Sequence, residues 1–246
     1  MADKNLNELL KWSIENSAPN GTTTGASAPA PASAPATSLN AEALVALMGA
    51  PSDAELMQAA MSCITSPDAG VTAEARLTAF DNLEQLVESL DNANLLARLG
   101  LWTPLLGCLG CADARLRRMA AWCVGTAVQN NEPCQERLVA LGGVERLVRM
   151  ALGELVSGGD GDGDGDGDAA EKEEEEEKEA ETETTEVRRK ALYALSSAVR
   201  NYQPAMDVCA AELRKQGEAV PDKVDATDMD AVDEVINALK TKVMSA

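Results

Sequence analysis

The chain has 246 residues and a net charge of −20, most of it concentrated in residues 153–186, which hold 16 acidic and 2 basic side chains. Histidine is absent, which excludes a Ser-His-Asp or Cys-His nucleophile pair and any histidine-ligated zinc or haem. The acidity repels phosphate backbones and anionic membranes, so neither is an expected partner. One Phe, two Tyr and three Trp leave Ala, Leu, Val and Met to supply the apolar content, a composition suited to close helix packing rather than to a β-sandwich or barrel.

In chain order, residues 1–17 come first as an amphipathic motif. Over 3–16 a short helix is expected, capped by Asp3, with Leu6, Leu9, Leu10 and Ile14 on one stripe and Trp12 off it. A helix of this length is marginal alone, so the motif reads as a tethered recognition peptide or as an N-terminal cap. Residues 18–38 are nearly all Ser, Ala, Pro, Thr, Gly and Asn and read as a disordered linker. No basic start and apolar core of a secretory signal is present, and no run approaches the ~20 apolar residues of a membrane span. Six cysteines are then most simply reduced thiols, and a cytoplasmic location is expected.

Helices are expected over 39–48 and 53–64, broken by Gly49-Ala50-Pro51. A repeat follows. Residues 116–130 (LRRMAAWCVGTAVQN) and 187–201 (VRRKALYALSSAVRN) are two copies of one pattern, with Arg117 matching Arg188, Ala120 Ala191, Trp122 Tyr193, Val128 Val199 and Asn130 Asn201. A weaker copy, 75–89, lies 41 residues before the first, and the 71-residue step to the last copy contains the acidic stretch. A period of ~40–47 residues is the armadillo and HEAT signature. In each copy a long helix leads to a short one and, past a glycine, to a third: 75–89, 92–99 and 101–109; then 115–129, 133–141 and 144–152. The last copy, 186–200, leads to 204–213, where the pattern ends, and 228–243 is a candidate capping helix with Val232, Val235, Ile236, Leu239 and Val243 on one side.

The expected architecture is therefore all-α: an armadillo-type solenoid of about three repeats over 39–152 and 187–213, a divergent tail over 214–246, and the 153–186 insert as a disordered acidic loop. Its core stripe is Ala79, Leu83, Leu86 and Val87, then Ala120, Val124, Ala127 and Val128, then Ala191, Leu195, Ala198 and Val199, all at helical spacing. Two residues on, about 200° around the helix, stand Asp81 and Gln85, Trp122 and Thr126, Tyr193 and Ser197. Aromatics facing away from a core stripe mark either a binding surface or packing between repeats.

The stretch AFDNLEQLVESLDNANLLARLGLWTPLL (79–106), GTAVQNN (125–131), RKALYALSSAVRN (189–201) and the opening LNELLKWSIENS (6–17) resemble the Fes-type nucleotide exchange factors of heat shock protein 70 chaperones, a group that includes the cytosolic heat shock protein 70-binding protein. The resemblance runs from 6 to about 213, linker and insert apart. It implies an armadillo solenoid whose concave face clasps the second lobe of the chaperone's nucleotide-binding domain, so that ADP leaves and ATP can enter. Contact residues would be Asp81, Gln85, Trp122, Thr126, Tyr193, Ser197 and Arg200, and Leu9, Leu10, Trp12 and Ile14 would form the N-terminal motif. A heat shock protein 70 chaperone is the implied partner; a monomer is expected, and no catalytic residue, cofactor or metal. Against the family pattern, a further repeat is missing after 213 and the acidic insert is extra.

Other readings compete. An armadillo adaptor for extended peptides would carry an Asn and Trp ladder, but the Asn position reads Gln85, Thr126, Ser197. An acidic histone-type chaperone rests on the insert alone, whose Glu run (171–179) is more simply solubilising. Asp160, Asp162, Asp164, Gly165 and Glu171 fit a calcium-loop spacing, but a frame from Asp162 to Glu173 fits equally well and no amphipathic helices flank it. Cys108 and Cys111 (CLGC) read as small thiols rather than as a redox pair or half a zinc site.

Overall fold

The computed structural model describes Gly49, residues 51–155 and residues 183–245. The chain divides into two compact units, Met1–Pro51 and Ser52–Ala246. The N-terminal motif, the linker, the 39–48 helix, the calcium-like loop and the Glu run lie outside the described residues.

Ten α-helices and one 3-10 turn make up the described residues, with no strand. They are α1 (Asp53–Ile64), α2 (Ala73–Val87), α3 (Leu90–Arg98), α4 (Trp102–Gly107), the 3-10 turn Cys108–Gly110, α5 (Ala114–Val128), α6 (Glu132–Ala140), α7 (Gly143–Leu152), α8 (Thr185–Val199), α9 (Gln203–Lys215) and α10 (Met229–Ser245). This is an armadillo-like helical solenoid. The long helices α2, α5 and α8 each have 15 residues and begin at the repeat spacing. Each opens on a side-chain cap: Thr72 accepts from the Ala75 amide, Asp113 from Arg115 and Thr184 from Val187. The cap satisfies an amide that the first turn leaves without a partner.

The ends of the long helices repeat as well. Asn130 and Asn201 adopt left-handed backbone, with φ of 51° and 57°, a conformation Asn tolerates better than most residues. Each reverses the chain into a helix with proline in its first turn, Pro133 in α6 and Pro204 in α9, where the missing amide costs no helical hydrogen bond. The first copy has neither device, and Ser89 passes straight into α3.

The core stripe packs α5 between α2 and α8, and the α5–α8 contact is the most extensive in the described residues. All twelve stripe residues are buried except Leu86, which is half-buried and lines a groove of about 610 Å³ between α1 and α2. Three arginines at the repeat spacing tie consecutive repeats together. Arg76 donates to the Ser66 carbonyl at 2.8 Å, Arg117 to Cys111 and Ala112 at 2.7 and 2.8 Å, and Arg188 to Ala151 at 3.1 Å. Each guanidinium meets carbonyls that close the preceding element, where positive charge is favoured.

α8 starts at Thr185, and Glu183 is buried, so the last residues of the 153–186 stretch belong to the solenoid. The Glu183 amide donates to the Gly153 carbonyl at 2.8 Å, which brings the two edges of the insert together. The Glu183 carboxylate takes a two-point ion pair from Arg117 at 2.6 and 2.8 Å. At the other end α10 packs on α8 and α7 and buries Val232, Val235, Ile236, Leu239 and Val243, the stripe expected of a cap.

Candidate functional site

The long helices turn one side to the core and the other, which carries Trp122 and Tyr193, away from it. Trp122 lies on α5, one turn before Thr126 and on the same face. Tyr193 occupies the matching position on α8. Both aromatics are half-buried. With Glu84, Val87, Glu88, Leu90, Ala93 and the end of α5 they line a pocket of about 510 Å³. The Thr126 hydroxyl donates to the Glu84 carboxylate at 2.8 Å, which joins α2 to α5 across its floor.

Three of the sequence-predicted residues therefore come together: Trp122, Thr126 and Tyr193. Asp81 and Gln85 are exposed on α2, and Gln85 lines the α1–α2 groove instead. Ser197 is half-buried, with its carbonyl accepting from Gln135 at 3.2 Å. Arg200 is engaged within the molecule. It pairs with Asp233 of α10 and donates to Ser196 Oγ at 3.2 Å, so this residue ties α8 to the terminal helix and does not line the pocket.

Sequence reading passed over two residues at this site. Gly125 sits where the Tyr193 ring crosses α5; a β-carbon there would lie 2.6 Å from the ring and 3.0 Å from the Ala194 backbone. Only glycine allows the α5–α8 approach, so Tyr193 both packs between repeats and presents an edge to the pocket. The second is Lys190. Its ammonium stands 3.4 Å from the centre of the Trp122 ring and 5.6 Å from that of Tyr193, the geometry of a cation–π contact. Burial lowers the Lys190 amine pKa, opposed by attraction to Glu84 and aided by repulsion from Arg118. A signal for Lys190 was present in the sequence, three residues before Tyr193, but its partner ring belongs to the preceding repeat.

Among the described residues no cluster of three or more His, Cys, Asp or Glu side chains could hold a metal. All six cysteines are free. Cys108 and Cys111 are hydrogen-bonded to each other, which pushes the Cys108 thiol up and lowers Cys111 to about 7. Burial pushes Cys134 and Cys209 up to about 12. No described helix is long and apolar enough to cross a membrane.

Related sequences agree on the family. Residues 6–96 match the family model described as nucleotide exchange factor Fes1. An Hsp70 nucleotide exchange factor FES1 of Gibberella zeae is 54% identical over 247 residues, covering 100% of both chains. The chain belongs to the Fes1 nucleotide exchange factor family. The Hsp70 nucleotide exchange factor fes-1 of Neurospora crassa is 49% identical over 272 residues, covering 99% of this chain and 100% of the relative. That of Coccidioides immitis is 42% identical over 239 residues, covering 97% and 98%. The Fes1 family match takes in α1 and α2, so it reaches the upstream wall of the pocket.

Proposed function

We propose that this chain is a co-chaperone that promotes ADP and client release from an Hsp70 chaperone, gripping its nucleotide-binding domain with the concave long-helix face around Trp122, Thr126 and Tyr193. The observation that carries this reading is the half-buried aromatic pair at repeat-equivalent positions, opposite the core stripe, beside a pocket of about 510 Å³. Trp and Tyr are among the side chains most enriched at the few positions that dominate interface energy. Asp81 and Gln85 extend the same face along α2, and Ser197 extends it along α8.

The work is done by differential affinity, without covalent chemistry. A solenoid that binds the open nucleotide-binding domain more tightly than the ADP-bound closed form shifts the population toward open. By linkage it lowers ADP affinity by the same factor. The protein needs no cofactor for this, and its free thiols fit a reducing cytoplasmic setting. The N-terminal residues Leu9, Leu10, Trp12 and Ile14 act as a tethered peptide that competes with clients once the solenoid has docked, at an effective concentration of ~mM.

Release of fluorescent ADP and of a labelled client peptide from purified Hsp70 tests both parts. The wild-type chain accelerates both. Replacing Trp122 and Tyr193 by Ala abolishes the ADP effect while helicity by circular dichroism persists. Replacing Leu9, Leu10 and Trp12 by Ala slows client release alone. An aromatic double variant that still exchanges would put the docking face elsewhere, and a wild-type chain without effect on ADP would end the exchange-factor reading.

A further inference from the structure

Lys190 is a cation in an unusual position. It lies in the second turn of α8, three residues before Tyr193 and on the same side of the helix, and its ammonium sits against the Trp122 ring of α5. Among the described residues no carboxylate lies within ion-pair distance of it, whereas neighbouring Arg118 is paired with Glu186 at 2.7 Å. Glu84 is the carboxylate that attracts it from the α2 side, and one oxygen of that group is held by the Thr126 hydroxyl. Arg118 repels it from α5. The ammonium is partly desolvated, and the ring face offsets part of that cost.

We propose that Lys190 is a specificity-determining contact residue that pairs with a carboxylate side chain on the partner surface docked against the Trp122–Tyr193 pocket. This rests on the exchange-factor reading and deepens it by naming the chemistry the partner must present. The charge distribution gives that chemistry a direction. Glu84 and Glu88 line the pocket on the α2 side and repel an acidic group there. Lys190, on α8 against the Trp122 ring, attracts an acidic group, whereas Arg118 is already neutralised by Glu186. A partner surface with a carboxylate over α8 and a neutral or basic group over α2 matches both, and the reverse arrangement meets like charges on both sides. Such ordering fixes the register of docking. Because the Lys190 ammonium already rests on a ring, little side-chain freedom is lost when the pair forms.

The test is the affinity of the full-length chain for the Hsp70 nucleotide-binding domain across a series of salt concentrations. Lys190→Met keeps an unbranched apolar stem against Trp122 and removes only the charge, Lys190→Arg keeps the charge, and Lys190→Glu reverses it. At low salt Lys190→Met is expected to bind about tenfold more weakly and Lys190→Glu more weakly still, with Lys190→Arg close to wild type. The deficit of the Met variant should shrink as salt rises, because the lost contribution is electrostatic. Wild-type affinity in the Met variant, a gain in affinity, or a loss independent of salt each overturns the inference, the last by making Lys190 a packing residue. Absence of binding by the wild-type chain overturns the exchange-factor reading and this inference with it.

Discussion

Arg76, Arg117 and Arg188 show how one residue type holds a repeat array together. Each reaches back to carbonyls at the end of the preceding element, so consecutive repeats are joined by charge-assisted hydrogen bonds as well as by apolar contact. Arg117 goes further. Its side chain is 8% exposed, its partner Glu183 is 0% exposed, and the two are joined at 2.6 Å. Removing one member of a buried pair strands the other's charge, at a cost of roughly 3–5 kcal/mol. Glu183→Ala should therefore lower the unfolding free energy in urea by about 3 kcal/mol, since Arg117 keeps its two carbonyls. A loss below about 1 kcal/mol would mean that water reaches Arg117 and the pair contributes little. The Arg117–Arg188 match was legible in the sequence. Its meaning was not, because Glu183 falls within the acidic 153–186 stretch that composition reads as a disordered loop.

At the scale of elements, the helices follow from period and punctuation. The α10 stripe, Val232 to Val243, was readable because apolar residues at helical spacing, away from Gly and Pro, leave few alternatives. Helix ends fell within one or two residues of expectation, the usual scatter of fraying termini. The 101–109 segment differed more: α4 stops at Gly107 and a 3-10 turn carries Cys108 and Leu109 into the core. Contacts between helices were less legible. Neither the Gly125–Tyr193 approach nor the Lys190–Trp122 stack has a periodic signature, since each joins residues 68 apart in sequence. The packing of α10 carries its own prediction. A chain ending at Asp228 would uncover α8 and α7 and lose the Arg200–Asp233 pair, and a terminal repeat without its cap is unstable. Thermal melting should fall by about 10 °C or more. An unchanged melting temperature would show that α9 closes the solenoid without help.

For the whole molecule, charge and shape divide the labour. Most of the net charge of −20 resides in 153–186, and the solenoid's two flanking segments meet through the Gly153–Glu183 hydrogen bond. The array that remains is a stack of three long helices, one side apolar and packed, the other carrying Trp122, Tyr193 and Lys190. What decides exchange is which state of the chaperone this surface prefers. The direct measurement is calorimetric titration of the Hsp70 nucleotide-binding domain with this protein, once nucleotide-free and once saturated with ADP. Tighter binding to the nucleotide-free domain is expected, by the same factor by which this protein weakens ADP affinity in the reciprocal titration. Equal affinity in the two titrations would contradict it, because a ligand with no preference between two states shifts neither.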